Sequence, residues 1–400
     1  MWRSRGTFIT LTLTMGLLLA GCSNNSVPIF EKDAVSLSDT VAALRISPQL
    51  ADMNDSSKGY VVLVSDDGAA RAVEVGPMDV GKLAWTKSGL FFSGPTEEYV
   101  LSPKGLKSLT RVGEEQYETA RFIKPSGDRF IALYNVGFGN GYYQNRVVTG
   151  NISAIRSWQA NGLYSSISQC DDAIVGITDI AETRLSSAMP PSQTEALMQL
   201  YPKPDDEEAA LLATIDVDGE YVEGQFNAPC IDNISYTLSF HSPRRDDPSS
   251  GVPVLRSWNI STGHHSEVPL VDEVGNPLKV TSDDIGTRSD IITEDTYRWI
   301  SQSGTMFNTD LKTGVTTQAY KIALSSPEMM GQTQLVLTPE SIFVLDVSAD
   351  QSKPMDLSKY DLITGERTSL LTVSSLGAIY NGDMILRDMA LDPEWIAQHE

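Results

Sequence analysis

The side chains suited to metal ligation or nucleophilic attack are few in this 400-residue chain, with three cysteines and four histidines. Their spacing points away from both kinds of chemistry. His264 and His265 are neighbours, and adjacent residues on a strand face opposite ways, so the pair does not share a metal. His241 lies in the charged stretch His241-Ser242-Pro243-Arg244-Arg245-Asp246-Asp247, with no catalytic partners identifiable from the sequence. Gly-x-Ser-x-Gly, His-Glu-x-x-His and a phosphate-cradling glycine loop ahead of a helix are all absent. Asp216-Val217-Asp218-Gly219 opens like a calcium loop, but Asn227 stands where the bidentate glutamate belongs. We expect no metal and no cofactor.

What remains is recognition chemistry. Gly137-Phe138-Gly139-Asn140-Gly141-Tyr142-Tyr143-Gln144-Asn145 combines glycines, which let backbone approach a ligand, with aromatic faces that stack on sugars or on other aromatic side chains. Phe138, Asn140, Tyr142 and Tyr143 are the candidate recognition residues.

The elements that must position these residues are strands. Thr309-Asp310-Leu311-Lys312-Thr313-Gly314, Tyr360-Asp361-Leu362-Ile363-Thr364-Gly365 and Trp258-Asn259-Ile260-Ser261-Thr262-Gly263 are copies of one strand-turn unit. Looser copies end at Gly68, Gly105, Gly150 and Gly219. Glycine recurs because such turns need a positive φ. Neighbouring copies are about 50 residues apart, the length of a four-stranded propeller blade. A second series of turns alternates with the first, at Ser88-Gly89, Ser126-Gly127, Asp171-Asp172, Asp232-Asn233, Ser289-Asp290, Pro339-Glu340 and Asn381-Gly382.

Two interleaved series of seven predict an all-β chain, a seven-bladed β-propeller over residues 59–389, with six or eight blades also compatible. The ring would close by pairing of N- and C-terminal strands, a hairpin at Tyr60–Val75 meeting one at Ala378–Arg387. The arrangement resembles bacterial propeller lipoproteins and TolB-like or quinoprotein-like propellers. The likeness is architectural and implies no site, because the Trp-Asp and tryptophan-rich blade signatures are missing. A pair of β-sandwiches is the competing architecture.

One interval between turns is some 20 residues longer than the rest, and residues 181–212 read as an insertion. Ser192 and Glu195 have capping-box spacing, and Pro202 ends the pattern, so a short helix is expected there. It would present Leu197, Leu200 and Tyr201 as a partner-binding arm.

The N-terminus reads as an address. Arg3 and Arg5 precede an apolar run from about Phe8 to Leu19, too short and too threonine-rich for a membrane span. It ends Leu19-Ala20-Gly21-Cys22, which resembles the bacterial lipobox. That resemblance implies a signal peptide over 1–21, a mature chain starting at Cys22, and a lipid such as palmitate carried by that cysteine. The chain would sit on the extracytoplasmic face of a bacterial membrane, the cell membrane or an outer membrane. Residues 22–58 read as a tether with a weak helical pattern around 39–53, and 390–400 as a tail. Outside the reducing cytosol, Cys170 and Cys230 can oxidise. Both precede turns of the second series in consecutive repeats, so we predict that they form a disulfide.

Charge and composition narrow the function. Thirty basic against 52 acidic residues give a net charge of -22, which disfavours nucleic acid as a partner. Two readings follow. The first is a membrane-anchored binding or scaffold module for an envelope protein or glycan. The second is an extracytoplasmic hydrolase or lyase with acidic residues and His241 at the central opening of the ring. The missing motifs and scarce histidines favour binding over catalysis.

Overall fold

The computed structural model describes residues 27–54, 56–187, 194–203, 209–217, 220–223, 227–242, 251–285, 289–327 and 331–400. Cys22 and the lipobox lie outside the described residues, as do Ser192 and Gly219. Seven small, mainly antiparallel sheets form the blades of a β-propeller. Blade 1 holds β1 (Ile29–Phe30), β2 (Thr40–Pro48), β3 (Gly59–Ser65) and β4 (Ala70–Val75). Blade 2 holds β5 (Leu83–Thr86), β6 (Gly89–Ser93), β7 (Glu97–Ser102) and β8 (Gly105–Thr110). Blade 3 holds β9 (Glu118–Ile123), β10 (Phe130–Gly139), β11 (Tyr142–Gly150) and β12 (Ile155–Asn161).

Blade 4 runs β13 (Tyr164–Cys170), β14 (Ala173–Asp179), β15 (Thr194–Tyr201) and β16 (Ala210–Asp216). In blade 5 the inner strand is broken: β17 (Glu220–Glu223) and β19 (Cys230–Ile231) pair with β20 (Ile234–Ser242), while β18 (Asn227–Ala228) crosses to pair in parallel with β13. β21 (Val252–Asn259) and β22 (His265–Pro269) complete that blade. A single turn of helix, α1 (Ser282–Ile285), leads to blade 6 with β23 (Ser289–Thr293), β24 (Thr296–Ile300), β25 (Thr305–Asp310) and β26 (Thr316–Lys321). Blade 7 has β27 (Gln334–Leu337), β28 (Ser341–Asp346), β29 (Met355–Asp361) and β30 (Arg367–Val373). The chain then returns to blade 1 as β31 (Met384–Leu391) and ends in α2 (Pro393–His399). None of the described helices is long and apolar enough to cross a membrane.

The middle strands are apolar on both faces because a neighbouring blade covers each face. Tyr60 to Val64 and Leu90 to Phe92 are buried throughout, and their side chains divide between the cores of adjacent interfaces. The outermost strands meet water and turn polar, as in β8, whose Lys107 and Ser108 are exposed. Because strands alternate in direction, the turns between strands one and two and between three and four share one face of the ring. The longer connections, between strands two and three and between blades, share the other. We call these the hairpin face and the groove face.

The two turn series therefore mark a single face. Positive φ values at Gly68, Gly89, Gly105, Gly127, Asp171, Asp232, Gly263, Gly314 and Gly365 meet the requirement that placed those turns. At Gly68 and Gly314 a side chain would also collide with the neighbouring blade's backbone, at Thr372 O and Pro269 O. Among the described turns two fall elsewhere, and the turn at Gly219 lies outside the described residues. Ser289-Asp290 begins β23, and the blade 6 turn is Glu294-Asp295; Asn381-Gly382 belongs to a connection on the groove face.

The ring closes between its ends, though not by meeting hairpins. Four N-terminal strands and one C-terminal strand share blade 1, with β2 paired antiparallel to β31 from Ala42↔Leu391 to Pro48↔Met384. The stretch read as tether thus carries a core strand. All nine residues of β2 are buried, and Val27, Val35 and Leu37 pack against the blade ahead of it. Burial on both faces erased the period-two signal and left an apolar run that imitates a helix.

The expected inserted helix is also a strand. Thr194–Tyr201 is β15, with Ala196, Met198 and Leu200 facing one interface and Leu197 the other. Leu197 and Leu200 are fully buried and Tyr201 stacks on Trp158, so these residues do not form an exposed arm. Glu195 pairs with Arg256 of blade 5 instead of capping a helix. The longest helix among the described residues is α2, in the stretch read as a tail. Asp392 caps it, and Trp395 docks against Phe343 while donating to Asp66. The predicted disulfide is present: Cys170 at the end of β13 is bonded to Cys230 in β19, joining blades 4 and 5 on the hairpin face.

Candidate functional site

The candidate recognition loop is the tip of the β10–β11 hairpin. β9 follows β10 only as far as Tyr134, so the segment from Asn135 to Tyr143 stands above its blade on the groove face. A bulge at Asn135/Gly137 bends it, stabilised by the Gly137 N–H donating to Asn135 Oδ1 at 2.7 Å. Asn140 and Gly141 both take positive φ, as a two-residue hairpin turn of this hand requires. Phe138 and Tyr143 meet edge to face across the strands with centroids 5.4 Å apart, and Phe138 remains 65% exposed. Tyr142 and Tyr143 are half-buried and Asn140 is exposed at the tip. The structure therefore brings all four candidates to one projection.

A groove of about 450 Å³ lies at the foot of this hairpin. Asn135, Val136 and Gly137 form one wall, Glu114 to Tyr117 another, and Leu50 and Asp79 the third. Leu50, Val112, Val136 and Phe138 are large apolar residues left exposed on the loops and hairpin of this region. Asp79 is held by Arg387 at 3.1 Å and by the backbone N–H of Leu50 at 3.0 Å. Burial, then the charge of Asp79, pushes the Tyr117 phenol upward, so it remains a neutral hydroxyl.

The groove rests on a buried ion network that spans blades 2 and 3. Glu98 accepts from Arg111 at 3.0 Å, from Arg121 at 2.8 Å and from the Tyr134 hydroxyl. Glu118 accepts from Arg121 at 2.6 Å, Ser93 at 2.6 Å and the Lys82 N–H at 3.0 Å. Glu115, in the groove wall, ties Arg111 to Arg146. Arg111 and Arg121 lie over the rings of Tyr134 and Phe130. Burial pushes Glu118 upward against the pull of Arg121, and pushes Tyr134 well up. For Arg121 burial acts downward, but Glu118 and Glu98 carry it above its ordinary value. These carboxylates are committed to guanidinium partners. They stiffen the groove floor and are poorly placed to shuttle protons.

Sequence reasoning missed this network because its members come from separate strands. The signal was local: Glu98, Glu118 and Arg121 are charges embedded in otherwise apolar, buried strands. The histidines converge on no common site among the described residues. His241 lies on β20, second in its blade, 3.7 Å from Glu267. His264 is exposed, and the His265 ring sits 4.8 Å from that of Trp258. Among the described residues no group of histidine, cysteine and carboxylate side chains is arranged to hold a metal ion.

A second hollow, of about 680 Å³, opens at the hairpin-face end of blade 1. Asp39, Asp66, Asp67, Asp392 and Glu394 line it beside Trp395 and His399.

Solved structures similar to this chain include puromycin hydrolase, at 13% identity over 86% of this chain and 56% of that one, TM-score 0.48. A mutant Synechocystis apocarotenoid oxygenase is similar at 9% identity over 89% and 93% of the two chains, TM-score 0.47. The WD40 domain of Neurospora crassa Pan2 is similar at 10% identity over 76% and 86%, TM-score 0.40. No curated protein matches the sequence. The model of the YycP beta-propeller domain matches residues 35–221 and 285–391, so the chain belongs to the YycP beta-propeller family.

Proposed function

We propose that this propeller is a lipid-anchored extracytoplasmic binding module, attached through Cys22, whose groove face docks an envelope partner. The observation that carries the reading is the coincidence of Leu50, Val112, Val136 and Phe138 on the loops and hairpin around one groove with Tyr117 and Tyr143. Exposed apolar residues gathered beside a concave surface mark interaction sites, and rigid aromatic residues supply contact area at low entropic cost. The acids at the rim, with Glu114 exposed, favour a partner segment that pairs apolar side chains with a basic one. A glycan would use the same tyrosine faces.

A photo-crosslinking side chain placed at Phe138, and separately at Ile363 on the hairpin face, tests the reading in intact cells. One discrete adduct at position 138, absent at 363, is expected. Equal adducts at both positions, or none at 138 while the purified chain turns over a glycan or peptide, would overturn it.

A further inference from the structure

The point at which the chain joins the ring limits how the ring can sit on a membrane. Five peptide units separate Cys22 from Val27, and even fully extended they reach at most about 18 Å. Val27 is already part of the blade 1 core, and the Pro28 carbonyl accepts from the Ala72 N–H at 2.8 Å. A lipidated Cys22 would therefore hold the outer edge of blade 1 against the bilayer, without the long spacer that residues 22–58 suggest.

That edge has an unusual surface. β1 is the outermost strand of blade 1, and its two residues are both exposed, Ile29 by 51% and Phe30 by 38%. Adjacent residues on a strand point opposite ways, so the pair flanks the rim on both sides. The direction of β1 adds a second constraint. It runs parallel to β4, which leaves the turn at Gly68 on the hairpin face and climbs toward the groove face. The chain enters β1 from the hairpin-face end, so an anchor within the reach of five peptide units pulls on that end of the rim, away from the groove face.

The ring does not lie flat on the hairpin face, because the hollow lined by Asp39, Asp66, Asp67, Asp392 and Glu394 occupies that face at blade 1. An anionic headgroup layer repels five carboxylates and accepts an apolar rim. We infer that the propeller stands on the bilayer on the rim of blade 1, with Ile29 and Phe30 in the interfacial layer and the groove face turned to the aqueous side. This rests on the reading of Cys22 as the lipid attachment site.

The test uses the full lipidated protein in vesicles of phosphatidylcholine with one-third phosphatidylglycerol. Variants Ile29→Cys, Phe30→Cys, Phe138→Cys and Ile363→Cys each carry an environment-sensitive fluorophore, and the vesicles carry a lipid-borne quencher. Positions 29 and 30 are expected to shift to the blue and lose most of their emission, while 138 and 363 keep theirs. Mass spectrometry of the N-terminal peptide and flotation are read in parallel. A chain that carries acyl mass and floats, yet is unquenched at 29 and 30, overturns the rim contact and leaves the anchor standing. Quenching at 138 or 363 overturns the orientation. A chain without acyl mass that fails to float overturns the anchor and the rim contact together.

Discussion

Arg45 and Asp388 face each other in register across the seam between β2 and β31, yet no ion pair joins them. Asp388 accepts from the Leu83 N–H of blade 2 at 2.7 Å. Arg45 donates from Nη2 to the Gly76 carbonyl at 2.8 Å and leaves Nε and Nη1 without partners. Burial lowers the Arg45 pKa to about 10 and raises that of Asp388. The seam thus holds an incompletely satisfied cation with no carboxylate partner, in contrast to the network around Glu98, where Arg111 and Arg121 each pair with carboxylates. Arg45→Met should change stability by no more than ~1 kcal/mol, since one neutral-acceptor bond is lost and an expensive charge leaves the interior. Glu98→Leu takes one buried carboxylate from both Arg111 and Arg121, leaves Glu115 and Glu118 to hold them, and should cost about 3 kcal/mol. Denaturant midpoints at constant slope compare the two; equal losses would refute the distinction.

Cys170–Cys230 closes a loop of 60 residues, and in the chain-entropy account its removal by a double serine substitution should cost ~4 kcal/mol. The bond fastens the broken inner strand of blade 5 to blade 4, where β18 has already crossed over. Unfolding of the oxidised and reduced proteins measures the difference. No change in midpoint on reduction would show that β18 alone holds the two blades.

His265 gives stability a dependence on pH. Burial first, then Arg256 and His264, pulls its pKa down to about 4. The folded ring stays neutral while the unfolded chain protonates near 6.5, so stability is complete above that pH and falls as pH drops through 6.5 toward 4. The ring is partly exposed and solvent screens it, so the loss at pH 4 should be ~1 kcal/mol. His265→Phe should remove this part of the acid slope in urea melts at pH 7, 5.5 and 4. An unchanged slope would assign the acid sensitivity to carboxylates.

Phe138→Ser separates recognition from folding. The ring is mostly exposed, so the melting temperature should stay within a degree or two, while a central anchor of this kind typically contributes about 2 kcal/mol to binding, roughly 30-fold in Kd. Titration of the partner captured at position 138 against both proteins reads the ratio. An affinity within twofold of the parent would remove Phe138 from the contact.

The hairpin-face turns were legible because each needs a backbone angle that glycine, aspartate or asparagine tolerates, and Gly68, Gly314 and Gly365 announce it directly. β2 and β15 were hidden for the opposite reason. Thr40–Pro48 and Thr194–Tyr201 are covered on both faces, so the alternation that identifies a strand disappears, and Leu197 and Leu200 fall at a spacing that also suits a helix. The hairpin tip was recognisable from its own composition. The groove beneath it was not, since Leu50, Asp79, Tyr117 and Val136 meet only after three blades are in place.

β31 has a consequence in time as well as space. Pro48 and Arg387, bonded across the seam, are 339 positions apart, so ribosomes finish the cover of β2 last. Until then β2 offers nine core residues and an open ladder edge, the kind of surface on which chains aggregate or recruit holdases. Protease resistance should arrive abruptly once residues 384–400 are added, when β31 enters and Trp395 locks behind it. The propeller is a clasp whose tongue is made at the start and whose buckle is made at the end.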